Sequence, residues 1–231
     1  MPDPKEIAGR RAAAFVEDGM TLGLGTGSTV AFALESIGAR IREEGLRVRG
    51  VPTSRRTEEL ARAAGIPLIS FEEALSLDLT IDGADEVDPR WNLVKGGGGA
   101  LLREKIVAAA SRVNTVVVGH NKLVDRLGKF LLPVEVVRFG WRPVARSLER
   151  LGCKPFLRRT QDEATFVTDE EHFILDCRFG RIDDPAWLES AIDRIPGVVE
   201  TGLFIGLTHR LVVGHPDGRC EVLESPGAPA R

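Results

Sequence analysis

The sequence predicts an α/β fold built on a mainly parallel sheet, with a smaller α+β domain inserted into it. Through residue 131, short apolar runs alternate with amphipathic helical segments, an order typical of parallel sheets with helical crossovers. From residue 132 the pattern changes to short strands around polar turns, with only two helical segments among them. We therefore expect one domain of residues 1–131 and 206–231, and a second, smaller domain of residues 132–205.

The first part of the chain has the periodicities of a strand and helix alternation. Its predicted elements are, in order, a helix over 5–18, a strand at 20–24, a helix from Val30, a strand at 46–51, a helix from Thr57, strands at 66–69 and 77–81, a helix from Ala100 and a strand at 115–118. Ligands of open α/β sheets bind past the carboxyl ends of the strands, so the residues that follow each run are candidates for a site.

The second part has roughly the βαββαβ order of ferredoxin-like domains. Its predicted elements are a strand at 134–137, a helix over 143–151, strands at 154–159, 165–167 and 173–177, a helix over 185–195, and short runs at 198–199 and 203–204. Residues 211–213 and 220–223 then add strands to the main sheet. We expect residues 225–231 to form a frayed tail.

Composition excludes several classes of function. The 231 residues are 43% hydrophobic and 28% charged, with a formal net charge of -3, which argues against a nucleic-acid surface. No apolar run reaches the roughly 18 residues of a membrane helix, and the amino terminus lacks the apolar core of a secretory signal, so we expect a cytoplasmic protein. Three cysteines and four histidines have no metal-ligand spacing. We expect neither disulfides nor zinc.

Polar residues are concentrated just past the apolar run at 77–81. Asp82 and Asp85 follow that run, and Lys95 then precedes four glycines that lead into a helix. Glycines open the backbone to a substrate, and a lysine beside a helix amino terminus can stabilise an oxyanion. Glu104, one turn into the helix, can act as a mobile base. Taken singly, these residues are typical of turns or of a solvated helix face, but their combination favours an active site.

A glycine-rich turn, Gly25 to Thr29, leads from a strand into a helix and so presents backbone N–H groups to an anion. It lacks the G-x-x-x-x-G-K-[ST] pattern of triphosphate-binding loops. A dinucleotide fingerprint from Gly23 would need glycine where Ser28 stands, and the next strand ends in residues 52–54, without an acid. Two interpretations stay open: a loop that binds a single phosphate, or a structural turn in which Ser28 or Thr29 caps the helix.

Several motifs together closely resemble those of ribose-5-phosphate isomerase, type A. They are Gly25-Thr26-Gly27-Ser28-Thr29, Asp82-Gly83-Ala84-Asp85-Glu86, Lys95-Gly96-Gly97-Gly98-Gly99-Ala100 and Arg103-Glu104-Lys105-Ile106. The likeness continues through Gly128-Lys129-Phe130, Pro133-Val134-Glu135-Val136 and Pro196-Gly197-Val198-Val199, and so covers nearly the whole chain.

This resemblance implies a Rossmann-like domain carrying a small α+β domain, and the interconversion of D-ribose 5-phosphate and D-ribulose 5-phosphate without a cofactor. It implies that Glu104 is the base, that Asp82 and Asp85 handle the sugar hydroxyls, and that Lys95 stabilises the charged enediolate. It also implies a homodimer or homotetramer. The substrate-binding positions that it implies are Lys5, Thr26, Gly27, Ser28, Thr29, Asp82, Gly83, Ala84, Asp85, Lys95, Gly96, Gly97, Gly98 and Lys122.

Two rival functions are less well supported by the residues. CoA-transferase-like proteins use a glutamate that attacks a thioester, but the paired aspartates and Lys95 suit a polyhydroxylated sugar better than an acyl group. A sugar-phosphate sensor would need an output module, and the sequence contains neither a DNA-binding helix pair nor a basic face. We therefore favour a sugar-phosphate isomerase.

Overall fold

In the computed structural model, which describes residues 2–225, the chain divides into two units. The first unit comprises the described residues up to Ala84, then Arg103–Lys122, and the described residues from Leu207. The second unit comprises Asp85–Leu102 and Leu123–Gly206. This division differs from the predicted domain bounds, which stay a prediction. Of the predicted frayed tail, residues 226–231 lie outside the described residues, whereas the Ser225 N–H donates to the His209 carbonyl at 2.8 Å.

The strands and helices are labelled in chain order. The strands are β1 (Thr21–Leu24), β2 (Arg49–Pro52), β3 (Leu77–Gly83), β4 (Glu86–Val87), β5 (Leu93–Val94), β6 (Ser111–Gly119), β7 (Leu132–Val136), β8 (Lys154–Leu157), β9 (Phe173–Arg178), β10 (Val198–Thr201), β11 (Leu203–Phe204), β12 (Arg210–Gly214) and β13 (Cys220–Glu224). The helices are α1 (Pro4–Ala13), α2 (Ser28–Glu44), α3 (Arg55–Ala64), α4 (Leu101–Ala109), α5 (Trp141–Glu149) and α6 (Pro185–Asp193), with short 3-10 helices at His120–Lys122 and Arg138–Gly140.

The first unit is built on a six-stranded sheet in the order β13-β12-β6-β3-β1-β2. All neighbours in it are parallel except β13, which pairs antiparallel with β12. Strands β1 and β12 are buried at every position, as expected for strands of a parallel sheet covered by helices. Residues of α1 and α2 pack with β1 and β3 in one core, and Val107 of α4 packs with Val51 and Leu77 in a second cluster.

The second unit contains a four-stranded antiparallel sheet in the order β10-β7-β9-β8. With α5 and α6 it has the predicted βαββαβ order, and its core lies between the sheet and these helices. The unit also holds a three-stranded sheet, β11-β5-β4, of which only β11 was expected as an apolar run. The predicted fold class, a mainly parallel α/β sheet with a small α+β part, is confirmed.

Three predicted elements are shortened or reduced to a single bridge in the structure. The helix over 5–18 ends at Ala13, because the next N–H groups bond to carbonyls three residues back and tighten the chain into a turn. The strand at 66–69 is a single bridge from Leu68 to Gly50, since Pro67 has no N–H for a sheet ladder. The strand at 165–167 is a single antiparallel bridge from Thr165 to Arg159.

Candidate active site

Several strands of the first unit end along one edge of the sheet. Strands β1, β3, β6 and β12 run parallel, so the residues past their carboxyl ends lie along the same edge. The predicted site residues there are Thr26–Thr29 after β1, Asp82 and Gly83 at the end of β3, and Lys122 after β6. This is the edge at which open α/β sheets bind their ligands.

Asp82 is the second-to-last residue of strand β3, which extends two residues beyond its predicted end. Its side chain is only 6% exposed, and its Oδ1 accepts hydrogen bonds from the N–H groups of Thr26 at 3.0 Å and Gly83 at 2.8 Å. A Cβ on Gly25 would lie 2.2 Å from the same oxygen. The glycine at position 25 is therefore what allows the turn after β1 to approach this carboxylate.

Thr26 is held by hydroxyl groups that sequence reasoning did not assign to the site. Its Oγ1 lies 2.8 Å from the hydroxyl oxygens of Thr53 and Ser54, and 3.0 Å from that of Thr57. Thr57 also donates to the Gly25 carbonyl at 2.8 Å. The available signal was the Thr53-Ser54 pair directly after β2, since that strand ends at the same sheet edge. These hydroxyl groups hold the turn after β1 in place through hydrogen bonds to Thr26 and Gly25.

Helix α2 begins directly after Gly27, which adopts a φ of 130° that favours glycine. Its N-cap is Gly27 and makes no side-chain cap hydrogen bond, so the interpretation of Ser28 or Thr29 as the cap is wrong. Ser28 is exposed and Thr29 is half-buried in the first turn. Ser28 and Thr29 therefore lie at the amino end of α2, beside the sheet edge. The helix dipole makes this end favourable for an anion.

Glu104 occupies the first turn of α4 and is 4% exposed. Its neighbours are more accessible: Lys105 is half-buried, and Ile106 is 49% exposed. The alternative that Glu104 belongs to a solvated helix face is therefore wrong. A carboxylate is costly to bury, which makes a buried glutamate at a helix start a candidate for chemistry.

Two lysines flank the same edge. Lys122 ends the 3-10 helix after β6 and is half-buried. Lys5 is exposed near the start of α1, and the preceding residue, Pro4, packs on the strand ends: a Cβ on Gly214 would lie 1.8 Å from its carbonyl oxygen. Gly214 is the last residue of β12, so the start of α1 lies at the carboxyl ends of the parallel strands.

Lys95, in the second unit, follows β5 and is 4% exposed. Its N–H donates to the Gly202 carbonyl at 2.8 Å, and its Nζ lies 5.3 Å from the centroid of the Phe204 ring on β11. A Cβ on Gly202 would lie 2.4 Å from the Lys95 carbonyl oxygen, so this close approach requires glycine. Sequence reasoning missed Gly202 and Phe204, because they lie far along the chain from Lys95.

The glycine run after Lys95 forms a tight turn. Gly96 and Gly99 have φ values of 98° and 83°, and the Gly99 N–H donates to the Gly96 carbonyl at 3.0 Å. Gly97 and Gly98 are exposed. The Gly97 N–H donates to Asp85 Oδ2 at 2.8 Å, which joins the second aspartate to the run. Ala84, the remaining predicted residue, is half-buried in the loop between β3 and β4.

The structure thus brings predicted residues together within each unit: Thr26 with Asp82 and Gly83 in the first, and Asp85 with Gly97 in the second. Among residues 2–225, no group of three or more His, Cys, Asp or Glu side chains is placed to hold a metal ion. In the same residues, no helix combines the length and the hydrophobicity required to cross a membrane.

Comparison with known proteins gives consistent matches over nearly the whole chain. Ribose-5-phosphate isomerase A of Gloeobacter violaceus is 56% identical over 227 residues, which is 97% of this chain and 97% of that protein. The structure of ribose 5-phosphate isomerase A from Methanocaldococcus jannaschii matches with a TM-score of 0.91 at 40% identity, over 96% of this chain and 98% of that one. A D-ribose-5-phosphate isomerase solved in complex with phospho-erythronic acid matches with a TM-score of 0.92 at 38% identity, over 96% and 97% of the two chains.

These relatives are isomerases, and their identity to this chain over nearly its whole length makes it an enzyme of the isomerase class. The family model described as ribose 5-phosphate isomerase A (phosphoriboisomerase A) matches residues 49–218. The chain belongs to the ribose 5-phosphate isomerase A family, and the resemblance stated from its motifs is confirmed.

Proposed function

We propose that this isomerase interconverts D-ribose 5-phosphate and D-ribulose 5-phosphate through an enediolate, without a cofactor. The reaction requires a base that takes a proton from one carbon and returns it to the neighbouring carbon. It also requires charge stabilisation at the two adjacent oxygens. The residues of the candidate site provide groups for each of these tasks.

The burial of Glu104 is the observation that carries the proposal. At 4% exposure, its carboxylate is removed from bulk water, at the start of a helix that follows four glycines. Excluding water protects an enediolate from side reactions and strengthens electrostatic interactions with it. In this proposal Glu104 moves the proton between C2 and C1 of the sugar.

The two aspartates would handle the protons on oxygen. Asp82 has a fixed orientation because two backbone N–H groups donate to its Oδ1, and a carboxylate is a hydrogen-bond acceptor that suits a sugar hydroxyl. Asp85 is oriented by the Gly97 N–H. Together they would assist ring opening and transfer of the proton between the two oxygens, while the buried cation of Lys95 would stabilise the enediolate.

The remaining predicted residues would bind the substrate. Phospho-erythronic acid, bound in the related isomerase structure, is a phosphorylated four-carbon acid, and it supports a phosphorylated sugar as the ligand of this family. The exposed start of α2 and the two lysines at the sheet edge suit a phosphate group. The positions proposed for substrate contact are Lys5, Thr26, Gly27, Ser28, Thr29, Gly83, Ala84, Gly96, Gly97, Gly98 and Lys122.

The cellular setting is part of the same proposal. The substrates are those of the non-oxidative pentose phosphate pathway, which proceeds in the cytoplasm. We also propose the homodimer or homotetramer implied by the family resemblance. Size-exclusion chromatography with light scattering measures the oligomeric state directly.

Isomerisation in heavy water tests the proposal. Purified protein is incubated with ribose 5-phosphate in D₂O without added metal or nicotinamide, and both ribulose 5-phosphate and deuterium at the carbon that receives the proton are measured. We expect ketose formation, with deuterium in the product wherever the proton on the base exchanges before it is returned. Ketose formation that depends on added nicotinamide would contradict the proposal. Binding of the sugar phosphate without turnover would instead indicate a sensor, and an acyl adduct on Glu104 after incubation with acyl-CoA would indicate a CoA transferase.

A further inference from the structure

A half-buried arginine of the second unit contacts the glycine run from one side. Arg158 follows β8, and its Nη1 donates to the carbonyl oxygens of Gly96 at 2.9 Å and Gly97 at 3.3 Å. Its Nε donates to Asp176 Oδ2 at 2.9 Å, and its Nη2 donates to Asp176 Oδ1. The side chains of Arg158 and Asp176 are only 12% and 16% exposed. The carboxylate therefore fixes the guanidinium, and the guanidinium fixes two successive carbonyls.

The segment that carries Arg158 also packs against the end of the run. The Phe166 N–H donates to the Arg158 carbonyl at 3.0 Å, and the Arg158 Cζ lies 5.6 Å from the centroid of the Phe166 ring. A Cβ on Gly99 would lie 2.4 Å from the Phe166 Cζ. Arg158 and Phe166, joined by this backbone hydrogen bond, therefore both contact the glycine run.

Because the peptide group is planar, the direction of each carbonyl also fixes the direction of the N–H group in the same peptide. In a trans peptide the C=O and the N–H point in opposite directions, and the described chain has no cis peptides. The Gly96 carbonyl points to Arg158, and the N–H of the same peptide, from Gly97, points to Asp85 Oδ2. The Gly97 carbonyl also points to Arg158, so the N–H of Gly98 points away from it. Arg158 thereby turns two consecutive N–H groups toward the side on which Asp85 lies.

We propose that Arg158, fixed by Asp176, is a positioning residue of this isomerase. It orients the peptides of Gly96 to Gly98 so that their N–H groups are presented to the aspartate and to the oxygens of the substrate. This inference rests on the proposed function, in which these glycines contact the substrate. Arg158 itself does not take part in proton transfer.

Lysine cannot replace arginine in this role. The guanidinium uses Nε and Nη2 for the carboxylate and Nη1 for the carbonyls, whereas an ammonium group is a single nitrogen without the planar fork. An error of about 1 Å in the position of a catalytic group can cost on the order of 10²-fold in rate. Donors that stabilise mainly the transition state affect kcat more than substrate binding.

The test is a kinetic comparison of R158K, R158A and D176N with the unmodified chain. We expect kcat for ribose 5-phosphate to fall about 10- to 100-fold in R158K and R158A, with KM changed about threefold or less. D176N retains the arginine and nearly the same shape, so it serves if the arginine variants do not fold, and its kcat should also fall. R210K is the matched control: Arg210 is a buried arginine of the first unit, paired with Glu224 at 2.6 Å, and its variant should lose stability without a comparable loss in kcat.

The outcomes separate this inference from the proposed function. An unmodified chain that does not isomerise ribose 5-phosphate would overturn the proposed function itself. An active unmodified chain with R158K and D176N variants that melt at lower temperature but keep kcat within about twofold would overturn the positioning role alone. A rise in KM with unchanged kcat would also overturn it, because it would mean that the run contributes to binding only.

Discussion

The N–H of Thr26 donates to Asp82 Oδ1 at 3.0 Å, across 56 residues of chain. This bond joins the turn after β1 to the aspartate at the end of β3. The two residues meet because β1 and β3 are parallel neighbours in the sheet. Because Gly25 has no Cβ, the turn can pass directly over the carboxylate. The orientation of Asp82 therefore depends on Gly25, because any side chain at that position would collide with the carboxylate.

Replacing Gly25 with alanine should disturb this arrangement. The added Cβ would lie 2.2 Å from Asp82 Oδ1, and overpacking of this kind typically costs about 1–3 kcal/mol in the free energy of unfolding. We expect lower stability in urea unfolding and a lower kcat. Gly140→Ala is the control, because no heavy atom lies within 4 Å of its added Cβ, and it should change stability by less than about 0.5 kcal/mol. Equal stability and activity in the two variants would contradict the role of Gly25.

Replacing Glu104 with glutamine should remove nearly all turnover while the protein remains folded. Glutamine keeps the shape of the buried side chain but cannot accept a proton, and general-base catalysis is worth roughly 10²–10⁴ in rate. Initial rates with ribose 5-phosphate, substrate affinity by calorimetry and the melting temperature distinguish lost chemistry from lost folding. Glu58→Gln on α3, an exposed glutamate paired with Arg62, is the control and should retain full activity. Near-normal rates in the Glu104 variant would mean that another residue is the base.

Replacing Lys95 with methionine should lower kcat more than it weakens substrate binding. Methionine fills the buried space of the lysine stem beside Phe204 but lacks its charge, and the charge opposes an oxyanion that develops along the reaction path. Loss of one well-placed stabilising group typically costs about 10²–10³ in kcat. Lys105→Met, one residue after Glu104 on α4, removes a less buried cation and is the control. A variant that lost only affinity, with kcat retained, would show that the assigned role is wrong.

His209 should make the stability of the first unit fall as the pH is lowered. Its Nδ1 accepts a hydrogen bond from the Asn114 N–H at 3.0 Å, and burial lowers the pKa of the imidazole below its usual 6.5. The folded state then binds fewer protons than the unfolded state. Stability is present above the unfolded pKa and is lost as the pH falls through 6.5 toward the lower folded pKa.

Urea unfolding at pH 7 and pH 5 measures this effect. His209→Gln should lose less stability between these two pH values than the unmodified chain does, since glutamine does not titrate. His120→Gln makes the same change at an exposed histidine and is the control for the substitution itself. The same change in the free energy of unfolding between pH 7 and pH 5 for the His209 variant and the unmodified chain would contradict the prediction.

Much of the candidate site could be proposed from the sequence, because its residues lie close together along the chain. Asp82, Lys95 and Glu104 stand out through strand ends, glycines and a helix start within one short stretch of sequence. The fold class was predictable for a related reason, since alternating periodicities of strands and helices reflect which faces are buried. The sequence did not predict the sheet formed by β4, β5 and β11, because its strands are only two residues long and carry no periodic pattern.

By itself, the sequence determined the fold class, the family and the residue types that would carry an isomerase reaction. Only the tertiary structure decided how those residues are held. Arg158 reaches the Gly96 carbonyl across 62 residues, and Thr26 meets three hydroxyls that follow another strand. Such contacts depend on how strands, turns and helices pack in three dimensions, which brings together residues that no local sequence pattern relates.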